Sequence, residues 1–139
     1  MGVKDVNAEY PGVLTELAAA TAYATAWNRL DCAEFLKLLA SDAHFTSQWV
    51  SDELVSKPAI ADRLKEKMFG AKNSGTKIFA ELGRTSAELA GRDCVFMAHG
   101  RKENVTATVL FKVGSLYIKR YDVFMPELLM AVRSGVYPI

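Results

Sequence analysis

Scarcity narrows the class of this 139-residue chain before any motif is read. Only two cysteines and two histidines are present, and Cys32 and Cys94 show neither a CxxC spacing nor any paired-ligand spacing. A disulfide framework is therefore excluded, and a metal site has little to stand on. Each cysteine sits among apolar neighbours and reads as a reduced core residue. An excess of one charge is missing too: seventeen Lys and Arg against sixteen Asp and Glu leave a formal net charge of +1. Such a balance gives no field to hold phosphate backbones or anionic lipid, so neither nucleic acid nor membrane is expected as a partner. No apolar run approaches the roughly 20 residues that cross a bilayer. The stretch Met1 to Gly12 carries Lys4, Asp5, Glu9 and Pro11 rather than the apolar core of a secretory signal, and Val6 stands where a myristoylation signal has Ser or Thr. A cytoplasmic location is the resulting expectation. Gly83, Gly91, Gly100 and Gly114 make no GxGxxG or P-loop pattern, and no cofactor is expected.

What is present is an ordinary globular composition, half apolar and about a quarter charged, over a length suited to one domain spanning 1–139. Chains of this size bury roughly 68 to 70% of their unfolded surface, enough for one sizeable core. From Val13 to Arg29 the residues Val13, Leu17, Ala20, Tyr23, Ala24 and Trp27 recur at helical steps and predict a helix with one apolar face. Asp31 with Glu34 has the form of a capping box before Phe35, Leu36 and Leu39, predicting a second helix to about Ala40. Ala43 to Val50 alternates as a half-buried strand does, with Phe45, Ser47 and Trp49 on one side and His44, Thr46 and Gln48 on the other. Ser56 and Pro58 open a third helix whose buried line is Ile60, Leu64 and Met68, and Gly70 to Gly75 closes it. The charged run Asp62 to Lys67 reads as the solvated side of that helix.

The remaining third reads as a meander of strands: Lys77 to Leu89, Asp93 to Arg101, Val105 to Val113 and Leu116 to Phe124. The last fourteen residues, Pro126 to Ile139, are expected to add a short helix or an arm. This order predicts an α+β fold, with about three N-terminal helices packed on a strongly curved antiparallel sheet around an internal cavity. A two-residue hairpin at Gly114-Ser115 would set Val113 opposite Leu116, Phe111 opposite Ile118, Val109 opposite Arg120 and Ala107 opposite Asp122. That more apolar face is expected to meet the helices. The other face then carries Thr106, Thr108, Leu110, Tyr117, Lys119 and Tyr121, beside Val95, Met97 and His99, and is expected to take a second subunit.

The tract Leu38 to Leu64, LLASDAHFTSQWVSDELVSKPAIADRL, resembles the helix–strand–helix passage of the nuclear transport factor 2-like superfamily. That group includes SnoaL-like polyketide cyclases, ketosteroid isomerases and limonene epoxide hydrolases. The Leu39 to Ala43 tract, the helix start at Lys57-Pro58-Ala59-Ile60 and the closing strand Leu116 to Phe124 carry the resemblance over nearly the whole chain. It implies a cone-shaped sheet, a pocket between first helix and sheet, and homodimers through the outer sheet face. Where the isomerases place their catalytic Asp, this chain has Ser47, which cannot abstract a proton as a carboxylate does. Tyr23 matches their phenolic donor, and their second acid has no match. Asp122 stands where the cyclases use an acid near the end of the sheet. Arg120 with Asp122 supplies at most two of the three residues an epoxide hydrolase needs.

The predicted pocket is thus lined by Tyr23, Trp27, Phe45, Ser47, Trp49 and Phe96, with Arg120 and Asp122 as its polar contacts. Asp122 would serve as base and Tyr23 as oxyanion donor in a cofactor-free isomerase, cyclase or hydrolase acting on an apolar or aromatic carbonyl compound. Two alternatives stand beside this. Arg120 and Asp122 could be a solvated pair at the rim of the sheet, and Tyr23 and Trp27 simple core. The domain would then be a non-catalytic ligand carrier or a dimeric interaction module.

Overall fold

The first helix begins where Thr15 can cap it. In the computed structural model, which describes residues 13–47, 53–86, 90–124 and 131–139, the Thr15 hydroxyl accepts from the Ala18 N–H at 3.0 Å. Helix α1 then runs Glu16–Arg29 and ends at Leu30 in a left-handed conformation (φ 53°). Its buried face is Ala19, Ala20, Tyr23, Ala24 and Ala26, while Val13 and Leu17, expected in the apolar line, are exposed. The small residues set the face: alanines let the helix lie close on the sheet, and Tyr23 is the one large side chain among its fully buried residues.

Helix α2 (Ala33–Lys37) is shorter than expected. The Asp31 carboxylate accepts from Ala33 N, but Cys32 is the capping residue and Glu34 pairs with Lys37, so the capping box does not form. The chain turns into strand at Leu39 rather than staying helical to Ala40. Helix α3 (Lys57–Ser74) agrees with its prediction: the Ser56 hydroxyl caps it, Pro58 sits in its first turn, and Ile60, Leu64 and Met68 are buried. Gly75 closes it at a φ of 71° that suits glycine.

The strands are β1 (Leu39–Ser47), β2 (Leu54–Val55), β3 (Ile78–Arg84), β4 (Asp93–His99), β5 (Val105–Val113), β6 (Ile118–Phe124) and β7 (Val132–Arg133). They form one open sheet in the order β2-β1-β6-β5-β4-β3-β7. The expected meander is β3 to β6, all antiparallel, whereas β1 lies parallel to β6, so the sheet is mixed. Helix α1 packs on β3, β4 and β5, and α3 packs on β1. The α+β class holds, with three helices among the described residues covering one face of the sheet.

Register is where expectation and structure part. Gly114 to Tyr117 form a longer loop, closed by Gly114 N donating to Tyr117 O at 2.8 Å, so Val113 faces Ile118 instead of Leu116. A bulge then leaves Lys119 unmatched: Lys112 pairs with Arg120, Phe111 with Tyr121, Leu110 with Asp122 and Val109 with Val123. Because strand side chains alternate, one extra residue turns every later one to the opposite face. Tyr121 and Val123 therefore point toward the helices, and Arg120 and Asp122 point away. Val95 and Met97, opposite Val109 and Ala107, also face the helices. A second bulge at Thr106 and an irregularity in β1 between Leu39 and His44 bend the sheet.

Under the helices the core is aromatic. Tyr121 lies at its centre, with the rings of Phe45, Tyr23, Phe35 and Phe111 at 4.8, 5.4, 5.4 and 6.1 Å between centroids. Fully burying such a ring contributes about 1.5–3 kcal/mol, and edge-to-face pairing adds about 0.5–1.5 kcal/mol. On the outer face, where a second subunit is expected, Cys94, Phe96 and Leu110 form a second small core with Val105, Phe124 and Ala131. Gly83 makes room for it, since a Cβ at that position would enter the space of the Phe96 ring. The C-terminal residues form an arm, not a helix, as far as they are described. Strand β7 pairs with β3, Ser134 N donates to Leu82 O, and Asn28 Nδ2 donates to Pro138 O. The arm is pinned by a buried carboxylate, Glu81, which accepts from Arg133 Nε at 2.5 Å and from Gly135 N at 2.6 Å. No described helix is long and apolar enough to cross a membrane.

Candidate functional site

The bend of the sheet leaves a gap that the helices do not fill. It is a cavity of about 370 Å³, walled by Tyr23 and Trp27 of α1, Arg63, Leu64 and Lys67 of α3, and the concave face of four strands. Those strands contribute Phe45 and Ser47 from β1, Met97 and His99 from β4, Thr106 and Ala107 from β5, and Tyr121 and Val123 from β6. A volume of that order, lined by aromatic and apolar groups with a few polar ones, is the usual character of a small-molecule site.

The local sequence explains the lining. Tyr23 and Trp27 are one helical turn apart, so both reach the same side of α1. Phe45 and Ser47 alternate on β1 and sit beside Tyr121 and Val123 on the parallel neighbour β6. Ala107 is small where larger inward residues, Val109 and Phe111, follow along the same strand, and this leaves the space open at one end.

The interior keeps its hydroxyls protonated. Burial raises the pKa of Tyr23, opposed by the nearby Trp27 indole, and burial with the neighbouring Tyr23 and Cys32 raises that of Tyr121. Both phenols are neutral hydrogen-bonding groups at physiological pH. The Trp27 Nε1 donor is buried without meeting the geometry of a hydrogen bond. Toward the outside the wall changes sign: Arg63 is half-buried, Lys67 exposed, and His99 lies across from them on β4. Partial burial and the positive charge of Lys67 both lower the pKa of His99, which keeps its imidazole neutral near pH 7. Among the described residues no Asp or Glu lines this cavity, and no group of three His, Cys, Asp or Glu converges as metal ligands would.

Of the residues predicted from sequence, the structure brings together Tyr23, Trp27, Phe45 and Ser47. Trp49 lies outside the described residues. Phe96 is on the opposite face, in the small outer core, because its parity on β4 is that of Cys94 and not of Met97. Arg120 and Asp122 do share a strand face and do pair, with Arg120 Nη2 2.9 Å from Asp122 Oδ1, but the β6 bulge places them outside the cavity. There they belong to a polar network: the Thr46 hydroxyl donates to Asp122, Arg120 Nη2 also approaches Glu53 at 3.4 Å, and Glu53 meets His44 Nδ1 at 2.6 Å.

The lining residues that sequence reasoning missed are Tyr121, Val123, Met97, His99, Thr106 and Ala107 on the sheet, and Arg63, Leu64 and Lys67 on α3. Ala107 reads as inward-facing from sequence, whereas Tyr121, Val123, Met97, His99 and Thr106 fall on the outer face in the register expected there. On α3 a signal was available, since Arg63 and Lys67 precede the buried Leu64 and Met68 by one residue each. The shoulder of a buried helical line borders whatever space that line leaves.

No family model matches the chain, and no curated protein matches it. Solved structures do. An NTF2-like protein of unknown function from Cytophaga hutchinsonii superposes at a TM-score of 0.57 with 11% identity, over 81% of this chain and 90% of that one. A SnoaL-like protein of unknown function from Burkholderia thailandensis gives 0.58 with 13% identity, over 78% and 94%. An uncharacterized cystatin-fold protein from Novosphingobium aromaticivorans gives 0.57 with 12% identity, over 80% and 98%. At such identities the shared property is the architecture, and the chain has the fold of the NTF2-like, SnoaL-like and cystatin-fold proteins.

Proposed function

We propose that this chain is a small-molecule-binding protein whose ligand, an apolar or aromatic compound, occupies the cavity between α1, α3 and the concave sheet face. The observation that carries the proposal is the cavity's composition. About 370 Å³ of space is bounded largely by aromatic and aliphatic side chains, among which the Tyr23 and Tyr121 phenols can orient a carbonyl. Both cysteines are free and buried, which suits a reducing, cytoplasmic setting. Binding is favoured over acid/base turnover because the two carboxylate-bearing networks, at Asp122 and at Glu81, lie on the outer sheet face with partners already in place.

The test uses acetonaphthone, a neutral aromatic ketone, titrated by calorimetry into the wild-type chain and into Ala107→Trp. Saturable binding is expected in the first, and none in the second with its circular dichroism retained, because the indole would fill the space beside Met97 and Tyr121. Equal binding by both, or binding by neither, would remove the proposal.

Catalysis is kept as a second reading by one feature, the neutral imidazole of His99 lining the same cavity as the Tyr23 phenol. A cofactor-free isomerase, cyclase or hydrolase acting on a carbonyl compound would then use His99 as base and the Tyr23 phenol as oxyanion donor. Deuterium exchange into the methyl group of bound acetonaphthone, abolished by His99→Gln, is the result this reading requires. A homodimer through the outer sheet face is also proposed, supported by the exposed apolar residues Val55, Leu116 and Tyr117 around the His44–Glu53–Arg120 network. Light scattering at micromolar concentration tests it, and a strictly monomeric mass would end it.

A further inference from the structure

The run Asp62 to Lys67 reads in sequence as a solvated helix face, but the structure divides it. Arg63 and Lys67 stand one turn apart on α3 and both border the cavity. Like charges at this spacing repel, so an unliganded helix gains nothing from them.

Their partners, if they were structural, would be carboxylates. Elsewhere the described arginines that approach the sheet do find them: Arg84 pairs with Asp93, Arg120 with Asp122 and Arg133 with Glu81. Among the described residues Arg63 and Lys67 form no ion pair and no hydrogen bond, although Glu66 lies three residues beyond Arg63. Arg63 is moreover half-buried, where a guanidinium has given up part of its water without gaining a counter-charge. Across the mouth, His99 and Thr106 offer further polar groups and no negative charge.

We propose that the ligand carries a carboxylate, and that Arg63 and Lys67 receive it at the mouth while its apolar or aromatic body fills the cavity. This rests on the reading of the cavity as a small-molecule site. The two cations suit the task differently. The planar guanidinium matches a carboxylate with two parallel N–H···O bonds, and the ammonium adds a mobile point charge nearer to water. Orientation follows: the charged end lies toward α3 and the ring system toward Tyr23, Phe45 and Tyr121.

The experiment compares naphthoate with acetonaphthone, which have the same ring system and nearly the same shape but differ in charge. Wild-type protein is expected to bind naphthoate about tenfold more tightly or better, with a preference that shrinks as salt rises. The double variant Arg63→Gln, Lys67→Gln should lose that preference, its naphthoate affinity falling to that of acetonaphthone. Lys67→Gln alone, at an exposed position, should lose part of it. Equal wild-type affinities, or an undiminished preference in the double variant, would overturn the carboxylate assignment and leave the cavity reading standing. Binding of neither probe would overturn the cavity reading and the assignment with it.

Discussion

Strand β6 shows two surfaces of opposite character, and the contrast between them is the most instructive feature of the molecule. On its outer side Arg120 and Asp122 are charged and mutually satisfied, tied further to Thr46 and Glu53. On its inner side Tyr121 and Val123 are apolar, and the charges that border the same space, Arg63 and Lys67, have no counter-charge among the described residues. A satisfied ion pair has already spent its interaction on the fold. Charge left unpaired beside a cavity is what a ligand can still use.

Substituting neighbours on this one strand separates the two faces. Tyr121→Ala removes the ring at the centre of the aromatic core, and its loss should cost about 3–5 kcal/mol in urea denaturation. A loss under about 1 kcal/mol would mean that the inner face is not the core.

The outer face is best tested by unpairing a charge there. Arg133→Met leaves the Glu81 carboxylate buried with the Gly135 N–H as its remaining partner. Breaking a buried pair from one side costs about 3–5 kcal/mol, and the partial exposure of Arg133 brings the expectation to about 2–3 kcal/mol. Hydrogen exchange should locate the effect in the C-terminal arm and β3. Replacing both partners, Glu81→Gln with Arg133→Met, should recover part of the loss, because no charge is then stranded.

Asp122→Asn comes next in size. Sequence places this residue as the catalytic base, and the structure places it in the outer network, half-buried and paired. A stability loss of about 1 kcal/mol is expected, with acetonaphthone and naphthoate affinities unchanged within about twofold. A large drop in affinity with stability intact would return Asp122 to the site.

How much of this was legible depended on which physical signal each residue carried. The α3 line Ile60, Leu64, Met68 and its Ser56 cap were plain, because helical period and capping are local. Strand β5 was legible to the residue, and so was the inward face of Ala107, Val109 and Phe111. Its neighbour was misread by a single bulge at Lys119, which no local pattern announces: Gly114-Ser115 is an adequate hairpin turn, and the choice of a longer loop is made by tertiary packing. That one residue exchanged Tyr121 for Asp122 on the cavity wall, and with it an aromatic core for a supposed base. The parallel pairing of β1 with β6 was likewise invisible, since it joins segments more than seventy residues apart. Tyr23, Trp27, Phe45 and Ser47 were found because helix and strand parity within their own elements was sufficient to group them.

The cavity side of the strand is tested through the cations that border it. If Arg63 and Lys67 are held together for a ligand and not for the fold, then Lys67→Gln should raise the stability of the unliganded protein by about 0.2–0.5 kcal/mol at low salt, and added salt should erase the difference. His99 gives an independent readout. Its folded pKa lies below the ordinary value through partial burial and then through Lys67, so the unfolded chain binds that proton more readily. The protein therefore has the full benefit of a neutral His99 above about pH 6.5, and loses it as pH falls from there through the folded pKa. Removing the Lys67 charge should move the His99 titration upward in an NMR series and flatten that acid-side loss, while burial keeps the pKa below its unfolded value. Naphthoate should move the same titration upward in the wild type, because an anion between Arg63 and Lys67 offsets the field that now opposes the imidazolium. A fall in stability for Lys67→Gln, with no movement of His99, would mean that Lys67 already has a counter-charge. The mouth of the cavity would then be as satisfied as the outer face.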